Sequence, residues 1–289
     1  MIDIEIIKGL QLLRNPIFDY FFYFVTLFGE EVFMIFFIGI LYWAYQQKYA
    51  FKVIMALTIS TLLTLGLKEV FKRPRPYQLE GIDAPPIDGV ITEGYAFPSG
   101  HSQIAGGQGF IYFDLYQRHK KVLFKYLTIA VLILIPFSRM YLAQHFLTDV
   151  IVGVLIGIYI MHHTFKWMDR FEDRMHHYVL YVIPILIILL IFIKDPNLFK
   201  GFGGWIGFVI GHYLNMTLLS VETKQSVRIK LLKVSIGFLV IFAIKEGSKL
   251  IFPDQLIFEF LRYFIMGGWA SFGVPLIAHY GQKNHKKIL

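Results

Sequence analysis

Three short polar clusters stand out in this 289-residue sequence, each at the edge of an apolar run. The first is Lys68, six residues, then Arg75-Pro76. The second is Pro98-Ser99-Gly100-His101. The third is Ser138-Arg139, five residues, His145, three residues, Asp149. Together they supply three fixed cations, two histidines, a carboxylate and a small Ser-Gly turn. That set suits gripping a phosphate and passing it to a nitrogen nucleophile.

Taken singly, each cluster has a plainer reading. Lys68 and Arg75 could anchor a helix end among lipid headgroups, as cations at span ends commonly do. Lys72 and Arg73 are assigned only that anchoring role. Ser99 is a good helix N-cap, and Gly100 lets the backbone approach a ligand. The free N–H groups of such a helix start favour an anion, with His101 at its mouth, but simple capping would look the same. On a helix His145 and Asp149 share one face. Asp149 can then accept a hydrogen bond from one ring nitrogen and leave the other free, or merely be a satisfied buried carboxylate. Arg139 offers a planar fork to phosphate oxygens.

The elements that must position these groups are membrane helices. Hydrophobic residues make up 56% of the chain and charged residues 17%, and the mean hydropathy is +0.57. Apolar runs recur at lengths close to the roughly 20 residues that cross a bilayer. Spans are expected at about 32–46, 53–71, 101–117, 122–142, 146–165, 178–193, 202–220, 232–251 and 257–280. Residues 1–31 are mixed, broken at Asn15-Pro16, and read as interfacial helices; a short first span ending at Gly29-Glu30-Glu31 is the alternative. Most links are short. The exception runs from Lys72 to Pro98 and holds five of the eleven prolines; a loop that long is usually functional or disordered. No cysteine is present, which excludes disulfides and thiolate metal sites. No cleaved leader is expected from the first residues.

The net charge of +8 is read as cytoplasmic loops facing anionic lipid, not as a nucleic-acid surface. Alternate connections carry 16 of the 28 Lys and Arg residues. The positive-inside rule places them in the cytoplasm and puts all three clusters on the opposite, extracytoplasmic face.

The pattern Lys68-x6-Arg75-Pro76, Pro98-Ser99-Gly100-His101, Ser138-Arg139-x5-His145-x3-Asp149 resembles the type 2 phosphatidic acid phosphatase (PAP2) superfamily, related to vanadium haloperoxidases. The resemblance covers roughly residues 25–165. It implies that Lys68, Arg75 and Arg139 bind phosphate, with Ser99 and the Gly100 backbone completing the cradle. It implies that His145 attacks phosphorus, that Asp149 orients it, and that His101 protonates the leaving oxygen and then activates water. Three fixed cations can take the place of a metal, so neither metal nor cofactor is expected.

The fold class expected is all-α: a polytopic bundle with a PAP2-like core and additional C-terminal spans. Residues 1–31 would be interfacial, 32–165 the catalytic core and 166–289 the extra helices. The function implied is hydrolysis of a phospholipid phosphomonoester, of phosphatidate or phosphatidylglycerophosphate type, through a phosphohistidine. Undecaprenyl pyrophosphate hydrolysis and phosphate transfer to another lipid or sugar use the same site, and a transporter or scaffold on an inert fold is a different class. In the C-terminal part, Lys245 and Lys249 share a helix face and call for a partner such as Glu246 or Glu259.

Overall fold

The computed structural model describes residues 2–171, 174–219, 226–251, 253 and 255–280. Among them every regular element is helical. Contact clustering divides the chain into two compact units, Met1–Phe37 with Lys52–Trp167, and Ile38–Phe51 with Met168–Leu289. The N-terminal helices therefore pack in the same unit as the motif helices, and the segment around Tyr42 groups with the C-terminal part.

The first unit contains α1 (Ile2–Gln11), α2 (Pro16–Leu27), most of α3 (Glu31–Ile40), most of α4 (Gln47–Phe71), α5 (Gly100–His119), α6 (Val122–Tyr141) and most of α7 (Leu147–Asp169). Helix α5 is its axis. Its Ser102 to Gly109 stretch is wholly buried and mixes Gln103 and Gln108 with three glycines. A Cβ on Gly106 would lie 2.3 Å from the Val154 carbonyl oxygen of α7. In the other direction, a Cβ on Gly153 would lie 2.5 Å from the Ser99 oxygen, and one on Gly157 only 2.1 Å from the Gln103 oxygen. Backbone touches backbone here, which brings the Ser99-Gly100 turn against the start of α7. The outward stripe of α7, Ile151, Leu155 and Tyr159, is exposed apolar surface at helical spacing, as a lipid-facing side requires.

A buried main-chain oxygen cannot step aside for a methyl group. Gly157→Ala is thus expected to destabilise the protein by about 3 kcal/mol, the upper range for overpacking. The check is thermal unfolding in detergent, with Gly66→Ala, where a Cβ meets nothing within 4 Å, as the neutral control.

Around this axis α2 lies on α6 through Phe22, whose ring is 5.2 Å from Phe137 and 4.4 Å from Tyr141. The Tyr141 hydroxyl donates to Asp19 at 2.8 Å. Helix α1 inserts Ile7, fully buried, among Ile82, Met140, Ala143, Phe146 and Val150. The long connection from Lys72 to Ser99 is ordered over this surface, with one 3-10 turn at Pro76–Gln78.

The second unit contains α8 (Met175–Tyr178), α9 (Ile183–Phe192), α10 (Pro196–Leu218), α11 (Val227–Ile251) and α12 (Leu256–Gly268). Glycines again set the approach. A Cβ on Gly203 would sit 2.4 Å from the Phe260 oxygen and one on Gly207 2.0 Å from the Phe264 oxygen. Beside this contact lies a buried polar knot. The Tyr42 hydroxyl is 2.8 Å from His212 Nδ1, accepts from Asn215 at 3.0 Å and donates to the Ser271 carbonyl at 3.0 Å. Lys249 pairs with Glu246 at 2.8 Å, as one of the expected alternatives has it, but Glu259 pairs with Arg262, at 2.9 Å.

The nine expected spans are not all matched by nine long apolar helices. Among the described residues four helical segments have both the length and the hydropathy to cross a bilayer: Gln47–Gln78, which is α4 with the 3-10 turn after it, Val122–Tyr141, Leu147–Asp169, and Leu256–Tyr280, which is α12 with the helical residues beyond it. Pro16–Leu27 and Glu31–Tyr45, bent by 48°, would make a fifth if they act as one broken span. Helix α5 falls short because its buried faces are polar and Gly-rich, and α9 because it has only ten residues.

Candidate active site

The prolines at 74 and 76 end α4 at Phe71, and Lys72 turns back at φ 44°. This return brings Arg75 beside His145: Arg75 Nη1 is 3.2 Å from His145 Nε2. The short link Leu142–Phe146 carries His145 between α6 and α7. Its ring is 2% exposed, Arg75 4%, Arg139 1% and Asp149 0%.

The feature that assembles the site is a five-residue run of the long loop. Thr92 Oγ1 accepts from Arg139 Nη2 at 3.3 Å. The Glu93 carbonyl accepts from Arg75 Nη2 at 2.9 Å, and the Gly94 carbonyl from Arg75 Nε at 2.8 Å. The Tyr95 carbonyl accepts from Lys68 Nζ. The Ala96 carbonyl faces His145 Nδ1 at 2.7 Å. Each of five consecutive residues therefore holds one ionic group of the site. Gly94 makes the run possible, since its φ of 78° lies where a side chain would be strained. Gln144 secures the strip, accepting from Thr92 N at 3.2 Å and Thr92 Oγ1 at 3.1 Å.

A carbonyl can only accept, so Nδ1 of His145 carries the proton and Nε2 keeps its lone pair. Burial, with the Arg139, Arg75 and Lys68 charges next in weight, holds this imidazole well below its ordinary range. The folded-state value is lowered, so the ring stays neutral on acidification past the point where an unfolded histidine charges. The acid limb of kcat/KM, which reports the free enzyme, is therefore expected below pH 6.5, the unperturbed value. Below that pH stability should also decline, because the unfolded chain binds a proton there that the folded one refuses. A pH series of phosphate release in detergent, with parallel melts, checks both signs.

His145 lines a cavity of about 380 Å³ together with Lys68, Arg75, Gly100 and His101 among others. Five of the eight expected site residues thus share one chamber. Ser99 lies behind it, capping α5 by accepting from Ser102 N at 3.3 Å. Arg139 is also behind the lining and reaches Thr26 Oγ1 at 3.0 Å; its Nε is buried with no partner. Among the described residues no carboxylate forms an ion pair with Lys68, Arg75 or Arg139. Three clustered cations that make no direct ion pair among the described residues suit an oxyanion.

Two expectations need correction. Asp149 does not hydrogen-bond His145; its Oδ2 is 3.8 Å from Nδ1 and accepts instead from Phe146 N at 2.8 Å. The Ala96 carbonyl, which carries no residue-type signal, has taken the ring proton. Arg73 is not simply a headgroup anchor. Its Nη1 lies 2.6 Å from Asp149 Oδ1, and its Nη2 lies 2.8 Å from Asp3 Oδ2. A fully buried carboxylate needs such a partner.

Fold and site together define a membrane-embedded phosphoryl-transfer enzyme: apolar helices outside, and inside them an imidazole beside three cations that make no direct ion pair among the described residues. The PAP2 superfamily model matches residues 49–173, and the transmembrane extension of PAP2 superfamily phosphatases matches residues 199–280. The chain belongs to the PAP2 superfamily.

Among curated proteins it is similar to a lipid A 4'-phosphatase of Porphyromonas gingivalis, 24% identical over 158 residues, covering 53% of this chain and 67% of the relative. It is also similar to human sphingosine-1-phosphate phosphatase 2, 23% identical over 272 residues, covering 81% of this chain and 65% of the relative. The chain thus spans about two thirds of the length of each. Two crystal structures resemble it at a TM-score of 0.49. Aquifex aeolicus LpxE, at 26% identity, covers 57% of this chain and 96% of its own. A PAP2-type phosphatidylglycerolphosphate phosphatase from Bacillus subtilis, at 25%, covers 58% and 85%.

Proposed function

We propose that this protein is a multi-pass membrane lipid phosphatase that cleaves a phosphomonoester through a phosphohistidine on His145. The observation that carries the reading is His145, its Nδ1 bound to the Ala96 carbonyl and its Nε2 meeting only the Arg75 cation among the hydrogen bonds of the described residues, on the wall of a cavity shared with Lys68 and Arg75. The phosphate enters the chamber and its oxygens take hydrogen bonds from Lys68, Arg75 and the free N–H end of α5 at Gly100, with Arg139 adding charge from behind. His145 Nε2 attacks phosphorus as the ester bond to the lipid oxygen breaks. His101, on the chamber wall, gives that oxygen its proton. It then takes one from water, which attacks the phosphohistidine and releases inorganic phosphate. Asp149 supplies negative charge 3.8 Å behind the ring as the imidazole becomes cationic. No metal is assigned a step.

The curated relatives are named for phosphates carried on lipids, which supports a substrate of phosphatidate or phosphatidylglycerophosphate type. Glu69 and Glu93 also line the chamber and would repel the second phosphate of a diphosphate such as undecaprenyl pyrophosphate. The charge bias of the loops supports an active site on the extracytoplasmic face. The test is phosphate release from the three lipids in competition, in mixed micelles with a chelator present. The monoesters should be preferred. Preference for the diphosphate would replace the monoester reading, label recovered on an acceptor lipid or sugar would make the enzyme a phosphotransferase, and no release at all would defeat the assignment. Sidedness is read from Asp88→Cys, a thiol in an otherwise cysteine-free chain, which should react with an impermeant maleimide from outside the cell.

A further inference from the structure

The N-terminal helix reaches the back of the active site through one residue. Asp3 Oδ2 lies 2.8 Å from Arg73 Nη2 and accepts from Thr148 Oγ1 at 2.7 Å. Arg73 Nη1 donates to Thr148 Oγ1 at 2.6 Å and to Asp149 Oδ1 at 2.6 Å. Its guanidinium lies over the Phe146 ring, 4.1 Å from the centroid. The main chain of Arg73 is tied in as well, its carbonyl accepting from Ala96 N at 2.8 Å. The same Ala96 presents its own carbonyl to His145. Arg73 therefore touches both supports of the His145 ring: the carboxylate behind it through its side chain, and the carbonyl beside it through its backbone.

We propose that Arg73, steered by Asp3 of α1, is a positioning residue for the phosphoryl-transfer step, so that the N-terminal helix is a working part of the catalytic unit. The inference rests on the phosphatase reading above. The physical argument is about charge. Asp149 is buried and keeps its negative charge only with a cation in contact. That charge stabilises the imidazolium character His145 acquires as it attacks. Were Arg73 bound to Asp149 alone, it would cancel much of this field. Asp3 draws the other edge of the guanidinium, so the cation is shared between two carboxylates and Asp149 keeps part of its charge for the ring. A planar fork can bridge two carboxylates in this way, and an ammonium cannot do so in fixed geometry. Neither residue borders the cavity, so both should act on the rate of the step and not on substrate binding.

The test compares wild type with Arg73→Gln, Arg73→Lys and Asp3→Asn, all as full-length protein in the same micelles. Groups that orient metal-bound histidines are worth about tenfold to hundredfold, and the same scale is taken for a reacting histidine. Arg73→Gln is expected to lose that much in kcat with KM within about threefold. Asp3→Asn should lose about fivefold to tenfold, and Arg73→Lys should recover part of the Arg73→Gln loss. Inhibition by orthovanadate, which probes the phosphate cradle, should stay within about threefold of wild type in all three. A merely structural tie between α1 and the loop would instead lower the melting temperature, with kcat per folded molecule unchanged. That result, or equal losses in kcat and vanadate affinity, overturns the inference while the phosphatase reading stands. A wild-type protein inert on every lipid phosphate overturns both.

Discussion

His145→Ala should abolish lipid phosphate release, with a loss of about 10⁴-fold or more, the scale on which removal of a nucleophile acts. The argument is local. The ring is held at Nδ1 by the Ala96 carbonyl at 2.7 Å, and the attacking Nε2 faces Arg75 Nη1 at 3.2 Å. Among the described residues the other imidazole lining the chamber is His101, which lies on α5 and is assigned the proton transfers. Truncation to Ala leaves the cations in place, so phosphate and vanadate should still bind and the protein should still extract and melt as a folded species. The decisive measurement is a rapid quench with lipid carrying labelled phosphate. Wild type should trap a phosphoenzyme that survives alkali and is lost in acid, as a phosphoramidate does, and the variant should trap none. A residual rate above a tenth of wild type would remove His145 from the nucleophile's role.

The second large effect concerns Arg75. Its guanidinium donates to the carbonyls of Glu93, Gly94 and Gln144 at 2.9, 2.8 and 3.2 Å, and Nη1 also meets the attacking nitrogen. The planar group is thereby clamped, with one of its five N–H donors, on Nη2, left over. A lysine at this position carries the charge but cannot satisfy three carbonyls and a phosphate oxygen together. Arg75→Lys is thus expected to lower kcat/KM by about 10² to 10³, the range for loss of one preorganised donor to a developing charge. Arg75→Ala should fall further, because three buried carbonyls then lack a donor. Steady-state kinetics with vanadate inhibition would separate the two contributions. An Arg75→Lys enzyme within fivefold of wild type would show that charge alone suffices there.

The ionic members of the site were legible in the sequence because chemistry restricts them to a few residue types at set spacings. Lys68, Arg75, His101, Arg139, His145 and Asp149 are visible as soon as the helices are drawn. The groups that hold them were not. The work of Glu93, Gly94, Tyr95 and Ala96 is done by main-chain oxygens, which every residue type possesses. Only Gly94 and the unusual length of the loop left a trace. Arg73 was misread for a related reason: a cation at a helix end near Lys72 looks like a headgroup anchor unless its carboxylate partners are known, and one of them, Asp3, lies 70 positions away. The helical class was legible from hydropathy. The count of spans was less so, because a helix buried inside the bundle, such as α5, is free to be polar on the faces it turns inward.

Glu93 and Tyr95 seat the cations with their backbone and not with their side chains. Glu93 and Tyr95 border the chamber, yet what they contribute to the cradle is an oxygen that any amino acid would bring. The backbone that seats the cations and the side chains on the chamber wall are therefore different atoms of the same residues. Substitution of either side chain should therefore leave the seating of the cations intact.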